Sequence, residues 1–363
     1  MRTILSIIAG AAIAAASGAG GDGFTTRIDI AGFPDTTFIL ARIHDGATYT
    51  DWSLDTICVI GGKAEIADTS RAADPARMYL FTDSGTITTY VQNGLEETIS
   101  GTVADLATAS LTYEGAPWSD DMMVFNDQIE SLTLRLMQMS RRYGTLTPDE
   151  RRDYSVMADR VDSLQTAYYK EHPNSWHALS QLESAMMDLP KDDLGAIYGA
   201  LLPEQRGSRY GEAIKRYLDV TTIEQGDSLS RFNIECRDQH GCMVDLMAIS
   251  EPYILIDFSQ VYCGPCIAAA REIGEIKDRY AGKVAFVNFS CDESEQEWRK
   301  AIGRDSITWT SLYDGHGPGG PVCLKYKVNS YPTFFLFGPD RTLIERSVGY
   351  GPGMLDKWLK SLD

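Results

Sequence analysis

The 363-residue sequence is poor in the side chains that hold metal ions. Only five histidines occur, and they are scattered along the chain. Among the seven cysteines there is a single Cys-X-X-Cys spacing, so the second close ligand pair that a zinc or iron–sulfur site uses is missing. The sequence therefore predicts no metal centre and no other cofactor.

Positive charge and long apolar runs are also scarce. Lys and Arg total 33 against 51 Asp and Glu, which gives a formal net charge of −18, and no basic run occurs. Because phosphate binding relies on clustered Lys and Arg, this balance argues against nucleic acids and anionic membranes as partners. Beyond the N-terminus no segment reaches the roughly 20 apolar residues needed to cross a bilayer, so no transmembrane segment is expected.

The first residues have the pattern of a secretory signal. Arg2 precedes an apolar stretch at residues 4–16, and small residues follow at positions 17–20. The stretch is short and wrongly flanked for a membrane span, and it contains no cysteine for a lipid anchor. We therefore interpret residues 1–19 as a signal peptide and expect a periplasmic or otherwise exported protein that is soluble after its removal.

The chain after this segment divides into three parts by its apolar pattern. Residues 24–117 alternate short β-prone segments with turn signals, which predicts a β-sandwich-like domain. At residues 118–220 the apolar period lengthens to about 3.5, which predicts a helical region of about five helices with methionines used for packing. Residues 228–363 return to strands alternating with helices. The predicted fold class is thus a multidomain α+β protein.

The most informative motif is Cys-Gly-Pro-Cys at residues 263–266. It follows an apolar strand-like run at residues 253–258 and precedes a helix-like stretch at residues 267–280, so it is expected at a strand-to-helix junction. Helix N-terminal N–H groups stabilise a thiolate, and cysteines placed there have pKa values of about 3.5 to 7.5 instead of about 8.5. Cys263 is therefore a candidate nucleophile, and Cys266, one turn later, a candidate resolving thiol.

Two further features belong to this candidate site. Asp257 is an acidic residue in the apolar run; burial would raise its pKa and let it exchange a proton with Cys266. Tyr331 and Pro332 precede the apolar strand at residues 334–337, and an X-Pro bond can be cis at modest cost.

Several of these segments together resemble the TlpA/ResA-type branch of the thioredoxins. The resemblance rests on Ile-Leu-Ile-Asp-Phe before the dithiol, Cys-Gly-Pro-Cys itself, Val-Asn-Phe in the next strand and Ser-Tyr-Pro-Thr-Phe-Phe-Leu-Phe. It implies a thioredoxin fold with Cys263 as nucleophile, Cys266 as resolving thiol, Asp257 as buried acid and Pro332 as a cis-proline facing the dithiol. Tyr331 would then pair with substrate.

The sequence departs from that family near the dithiol. Tyr262 stands where thioredoxins usually carry a tryptophan, and we assign it to the substrate-binding set. Phe286 replaces the lysine that thioredoxin itself has beside the buried acid.

The resemblance implies an exported thiol-disulfide oxidoreductase that reduces protein disulfides. Its partners would be exported proteins with disulfides or thiols, and a membrane electron donor. A disulfide oxidase or isomerase, and a redox-sensing binding protein without turnover, remain alternatives.

The remaining cysteines give weaker signals. Cys236 and Cys242 flank a hairpin turn, and we hypothesise a disulfide across that hairpin. Cys291 follows a predicted strand and Cys323 lies in residues 307–327; we favour two unrelated thiols over a second disulfide. Cys58 is interpreted as a small buried hydrophobe.

Overall fold

The computed structural model describes residues 23–35, 38–44, 52–68, 74–108, 110–115, 118–140, 142 and 145–362. The predicted signal peptide, residues 1–19, lies outside the described residues. The chain divides into two compact units between Lys215 and Arg216. In the described ranges no helix is long and apolar enough to cross a membrane.

The first unit begins with eight strands in two four-stranded sheets, ordered β4-β1-β7-β8 and β3-β2-β5-β6. The strands are β1 (Phe24–Ala31), β2 (Phe38–His44), β3 (Trp52–Cys58), β4 (Lys63–Asp68), β5 (Ala76–Thr82), β6 (Gly85–Val91), β7 (Glu96–Thr102) and β8 (Thr112–Glu114). All pairs are antiparallel except β1 with β7. Buried side chains of both sheets form one apolar cluster, because alternate residues of each strand point to the same face.

The helices of the first unit follow these strands, apart from α1, which lies between β7 and β8. They are α1 (Val103–Ala107), α2 (Ser119–Ser140), α3 (Pro148–Glu171), α4 (Trp176–Ala185), α5 (Lys191–Ala200) and α6 (Pro203–Arg206), with α7 (Arg209–Asp219) spanning the division between units. Thr147 caps α3: its hydroxyl accepts from the Glu150 N–H, and the Glu150 carboxylate accepts from the Thr147 N–H.

The second unit is built on a seven-stranded sheet with the order β10-β9-β13-β12-β11-β14-β15. Its strands are β9 (Glu235–Asp238), β10 (Met243–Asp245), β11 (Tyr253–Ser259), β12 (Val284–Ser290), β13 (Thr310–Tyr313), β14 (Thr333–Phe337) and β15 (Leu343–Val348). The helices are α8 (Leu229–Phe232), α9 (Gly264–Ile276), α10 (Glu295–Asp305), α11 (Pro321–Tyr326) and α12 (Met354–Lys360). β11 to β13 are parallel, and the other pairings are antiparallel.

The strand predicted at residues 253–258 is confirmed, and it is a central strand flanked by β12 and β14. Its alternate residues serve two separate cores. Ile256 and Phe258 pack into one apolar cluster, and Leu255 packs into another with α9 and α12. Burial on both faces explains why the run is continuously apolar.

The hypothesis of a disulfide across the β9–β10 hairpin is wrong. The register pairs Cys236 with Val244, and the Asp238 N–H donates to the Cys242 carbonyl, so the two cysteines face different residues. Both are free thiols. Cys58, expected to be buried, is half-buried.

Candidate active site

Cys263 and Cys266 lie at the start of α9 and are joined by a disulfide with an S–S distance of 2.04 Å. Cys263 is the N-cap residue, and its sulfur accepts a hydrogen bond from the Cys266 N–H at 3.1 Å. Pro265 is tolerated because the first turn of a helix has no intrahelical partner for its missing N–H. Cys263 is partly exposed whereas Cys266 is buried, so the two sulfurs differ in access.

The loop between β11 and α9 is held by side chains from the neighbouring part of the unit. The Val261 N–H donates to the Asp292 carboxylate at 3.0 Å, and the Arg304 guanidinium donates to the Val261 carbonyl. The Gln260 amide donates to the Cys291 carbonyl at 3.1 Å. These contacts fix the backbone that leads into Cys263. Sequence reasoning missed Asp292 and Arg304, because no local pattern links them to the dithiol.

Asp257 lies on β11 with its carboxyl group buried. Residues 255 and 257 share a face of the strand, and Leu255 packs with α9, so Asp257 points into the layer that contains the dithiol helix. Burial raises its pKa to about 7; the hydrogen bond from Asn288 opposes this effect and the Asp305 charge adds to it. In the described part of the chain, Oδ1 of Asp257 has no hydrogen-bond partner.

A row of polar side chains crosses three strands beside this acid. Asp257, Asn288 and Ser311 are direct neighbours in register on β11, β12 and β13. The Asn288 amide donates to Ser259 Oγ at 2.7 Å but reaches Asp257 Oδ2 only at 3.4 Å. Ser311 Oγ donates to Asn288 Oδ1 at 2.8 Å and accepts from Trp298 Nε1 at 2.9 Å. A polar residue within the apolar strand Val-Ala-Phe-Val-Asn-Phe-Ser was the available signal for Asn288.

The Tyr331–Pro332 peptide bond is cis, and Pro332 is buried. Thr333, the next residue, pairs with Phe258 near the end of β11. The Tyr331–Pro332 turn, which precedes β14, and the dithiol loop, which follows β11, therefore lie at the same end of the sheet. The Pro332 carbonyl accepts from the Gly349 N–H at 2.8 Å, which ties the turn to the residue after β15.

Tyr262 is the predicted site residue with the greatest exposure. Its side chain is 76% exposed, directly before Cys263, and the Lys300 ammonium lies 5.0 Å from its ring centroid. The exposed ring therefore lies directly beside the partly exposed sulfur of Cys263. The arrangement as a whole offers one accessible sulfur, one shielded sulfur and a buried acid.

The comparisons with known proteins each match less than half of this chain. Residues 251–343 match a protein family described as thioredoxin-like. A thioredoxin from Aspergillus fumigatus is 24% identical over 109 residues, which are 30% of this chain and 77% of that protein. A thiol-disulfide oxidoreductase from Bacteroides fragilis is 22% identical and covers 36% of this chain and 97% of its own, with a TM-score of 0.33.

The thioredoxin domain of a thiol-disulfide oxidoreductase from Bacteroides vulgatus is 20% identical. The match covers 39% of this chain and 100% of that domain, with a TM-score of 0.35. The family match shows that the second unit contains a thioredoxin-like domain. The TlpA/ResA type remains a prediction.

Proposed function

We propose that this protein is an exported thiol-disulfide oxidoreductase of the TlpA/ResA type, and that it reduces protein disulfides with Cys263 and Cys266. The observation that carries the proposal is the asymmetric pair at the start of α9. Cys263 is partly exposed and accepts an N–H bond at its sulfur, whereas Cys266 is buried one turn further on. This is the arrangement that a two-step exchange needs.

In the first step the Cys263 thiolate attacks a sulfur of the substrate disulfide. A mixed disulfide forms and one substrate thiolate leaves. In the second step Cys266 transfers its proton to the Asp257 carboxylate and attacks the Cys263 sulfur. The second substrate thiolate is released, and the Cys263–Cys266 disulfide remains. We assign substrate contact to Tyr262, and to Tyr331 beside the cis-proline Pro332.

The direction of this reaction is set by the reduction potential of the dithiol. Dithiols of this fold range from about −270 mV to about −120 mV. The Gly-Pro dipeptide between the cysteines is similar to that of reducing thioredoxins, which supports a reductase supplied by a membrane electron donor. Clients would be exported proteins that require free thiols.

The proposal is tested by reduction of insulin with dithiothreitol, measured for the wild-type protein and two cysteine variants. Cys263→Ser should lower the catalysed rate at least about 100-fold, because no other thiolate in the cycle replaces the nucleophile. Cys242→Ser is the matched control: it removes an exposed thiol outside the site and should leave the rate unchanged.

Equal rates for wild type and Cys263→Ser would overturn the proposal, and one-time oxidation without turnover would favour a redox sensor. A reduction potential measured against glutathione and dithiothreitol buffers then decides the direction. A value near −120 mV would replace the reductase by a disulfide oxidase or isomerase.

A further inference from the structure

Two cysteines that take no part in the proposed cycle lie in contact within the second unit. Cys291 and Cys323 are free thiols, each 0% exposed, with 3.3 Å between their sulfurs. The Cys323 thiol donates to the Cys291 sulfur. As expected from the sequence, the two are thiols and not a disulfide, but they are in contact and not unrelated. We propose that Cys291 and Cys323 form a second, structural disulfide, made by thiol–disulfide exchange during folding and then sealed from reductants.

The position of the pair permits this bond. Cys291 directly follows β12, and Cys323 lies in α11, 32 positions later. Disulfide sulfurs are about 2.05 Å apart, so the two atoms need to approach by little more than 1 Å. A bond that closes a loop of this length removes far more freedom from the unfolded chain than Cys263–Cys266, which closes a separation of 3.

The burial of the pair decides when oxidation can occur. In the folded unit a disulfide oxidant cannot reach either sulfur, and the thiolate form is disfavoured because burial and the adjoining Cys323 raise the pKa of Cys291 well above its usual value. Exchange therefore requires an incompletely folded chain. One thiolate attacks an oxidising disulfide and releases one thiol; the second thiolate attacks the mixed disulfide and releases the other.

The bond would join two segments that frame the candidate active site. The Cys291 N–H donates to the Ser259 carbonyl at 2.8 Å, at the start of the dithiol loop. The Val328 N–H donates to the Cys323 carbonyl at 2.9 Å, and the chain then runs to Tyr331, which packs against the apolar cluster that contains both cysteines. The cross-link would therefore brace both segments from inside the unit, whatever reaction the dithiol performs.

The first experiment is refolding of the full chain from denaturant in buffers of oxidised and reduced glutathione, followed by mass mapping of non-reduced peptides. We expect a linked peptide pair that contains Cys291 and Cys323. Dithiothreitol added to the native protein should then reduce Cys263–Cys266 at least about 100 times faster, because the second bond is sealed.

A variant comparison gives an independent readout. The rise in Tm from reduced to oxidatively refolded protein should be about 5 °C larger for wild type and for the control Cys242→Ala than for Cys323→Ala, which can form only the Cys263–Cys266 bond. Free thiols at both positions in every glutathione buffer would overturn the proposal, as would linkage of either residue to another cysteine. Equal reduction rates of the two disulfides would also overturn it. These wild-type measurements remain decisive if Cys323→Ala does not fold.

Discussion

Two buried carboxyl groups, Glu97 in the first unit and Asp257 in the second, have similar ionisation but different surroundings. Both are at most 2% exposed, and burial raises the pKa of each to about 7. The Glu97 oxygens accept hydrogen bonds from the Thr26 and Thr89 hydroxyls, each at 2.7 Å. Asp257 receives only a long bond at 3.4 Å from Asn288, and within the described ranges its Oδ1 accepts none.

The difference separates a structural acid from a candidate functional one. A buried acceptor without a partner costs about 1–3 kcal/mol, so its presence calls for an explanation. Asp257 faces the layer of α9, where a proton must leave Cys266 in the proposed cycle. Glu97 has a complete set of hydroxyl donors for both oxygens, which accounts for its burial by structure alone. A raised pKa therefore does not identify a catalytic acid by itself.

The largest expected effect is on the pH dependence of stability. The folded pKa of Asp257 lies above the unfolded value, so its contribution is complete below about pH 4 and is lost as the pH rises through about 7. The difference from 3.8 to about 7 corresponds to about 4 kcal/mol at 1.4 kcal/mol per pKa unit. Asp257→Asn should therefore stabilise the second unit at pH 9 and much less at pH 4, measured by hydrogen exchange of β11 amides.

Glu97→Gln is the matched variant in the first unit. The same sign applies, and the difference from 4.5 to about 7 corresponds to about 3 kcal/mol. The gain in stability at high pH should be smaller than for Asp257→Asn. The NH₂ group of the glutamine is a donor, and it would face one of the two hydroxyls that donate to Glu97. If neither variant changes the pH dependence of hydrogen exchange, the pKa values of Asp257 and Glu97 are not raised by burial as inferred.

The Asp257→Asn and Glu97→Gln variants should differ more in their rates of disulfide reduction than in their stabilities. Asp257→Asn removes the base that takes the Cys266 proton, so disulfide reduction at pH 7 should fall on the order of 10-fold, because water can partly replace the base. The wild-type rate should rise with pH through about 7, and this step should be absent from the variant.

Glu97→Gln serves as the control for that assay. It should change the rate less than about 2-fold and leave the pH profile intact, because Glu97 belongs to the first unit and its carboxylate accepts from the Thr26 and Thr89 hydroxyls. If Asp257→Asn keeps the wild-type pH profile, a group other than Asp257 causes the pH dependence of the rate.

The sequence was sufficient to predict the dithiol, its strand-to-helix junction and the thioredoxin-like domain, because these depend on local patterns. Cys263 caps α9 through residues next to it in the chain, and β11 is apolar because both its faces are buried. Asp257 stood out as the acid in that strand. Asn288 could be noticed as a polar residue in an apolar strand, but its pairing with Asp257, like the contacts of Asp292 and Arg304 with the dithiol loop, depends on register and on contacts over long separations.

The cysteines illustrate the same limit. Cys236 and Cys242 are close in sequence, yet the hairpin register separates them. Cys291 and Cys323 are distant in sequence, yet β12 and α11 bring their sulfurs to 3.3 Å. Pairing depends on register and packing, which the spacing of cysteines does not encode.

The smallest expected effect concerns the donors around the two acids. Ser259→Ala removes the acceptor that holds the Asn288 amide at 2.7 Å, so this amide can donate more fully to Asp257. A hydrogen bond to the charged form favours ionisation, and the Asp257 pKa should fall by about one unit or less.

Thr89→Val acts in the opposite sense at Glu97. It deletes one of the two hydroxyl donors to the Glu97 carboxylate, so the pKa of Glu97 should rise. Carboxyl ¹³C shifts followed by NMR titration measure both changes, and movement of the two pKa values in the same direction would show that donor count does not distinguish the acids.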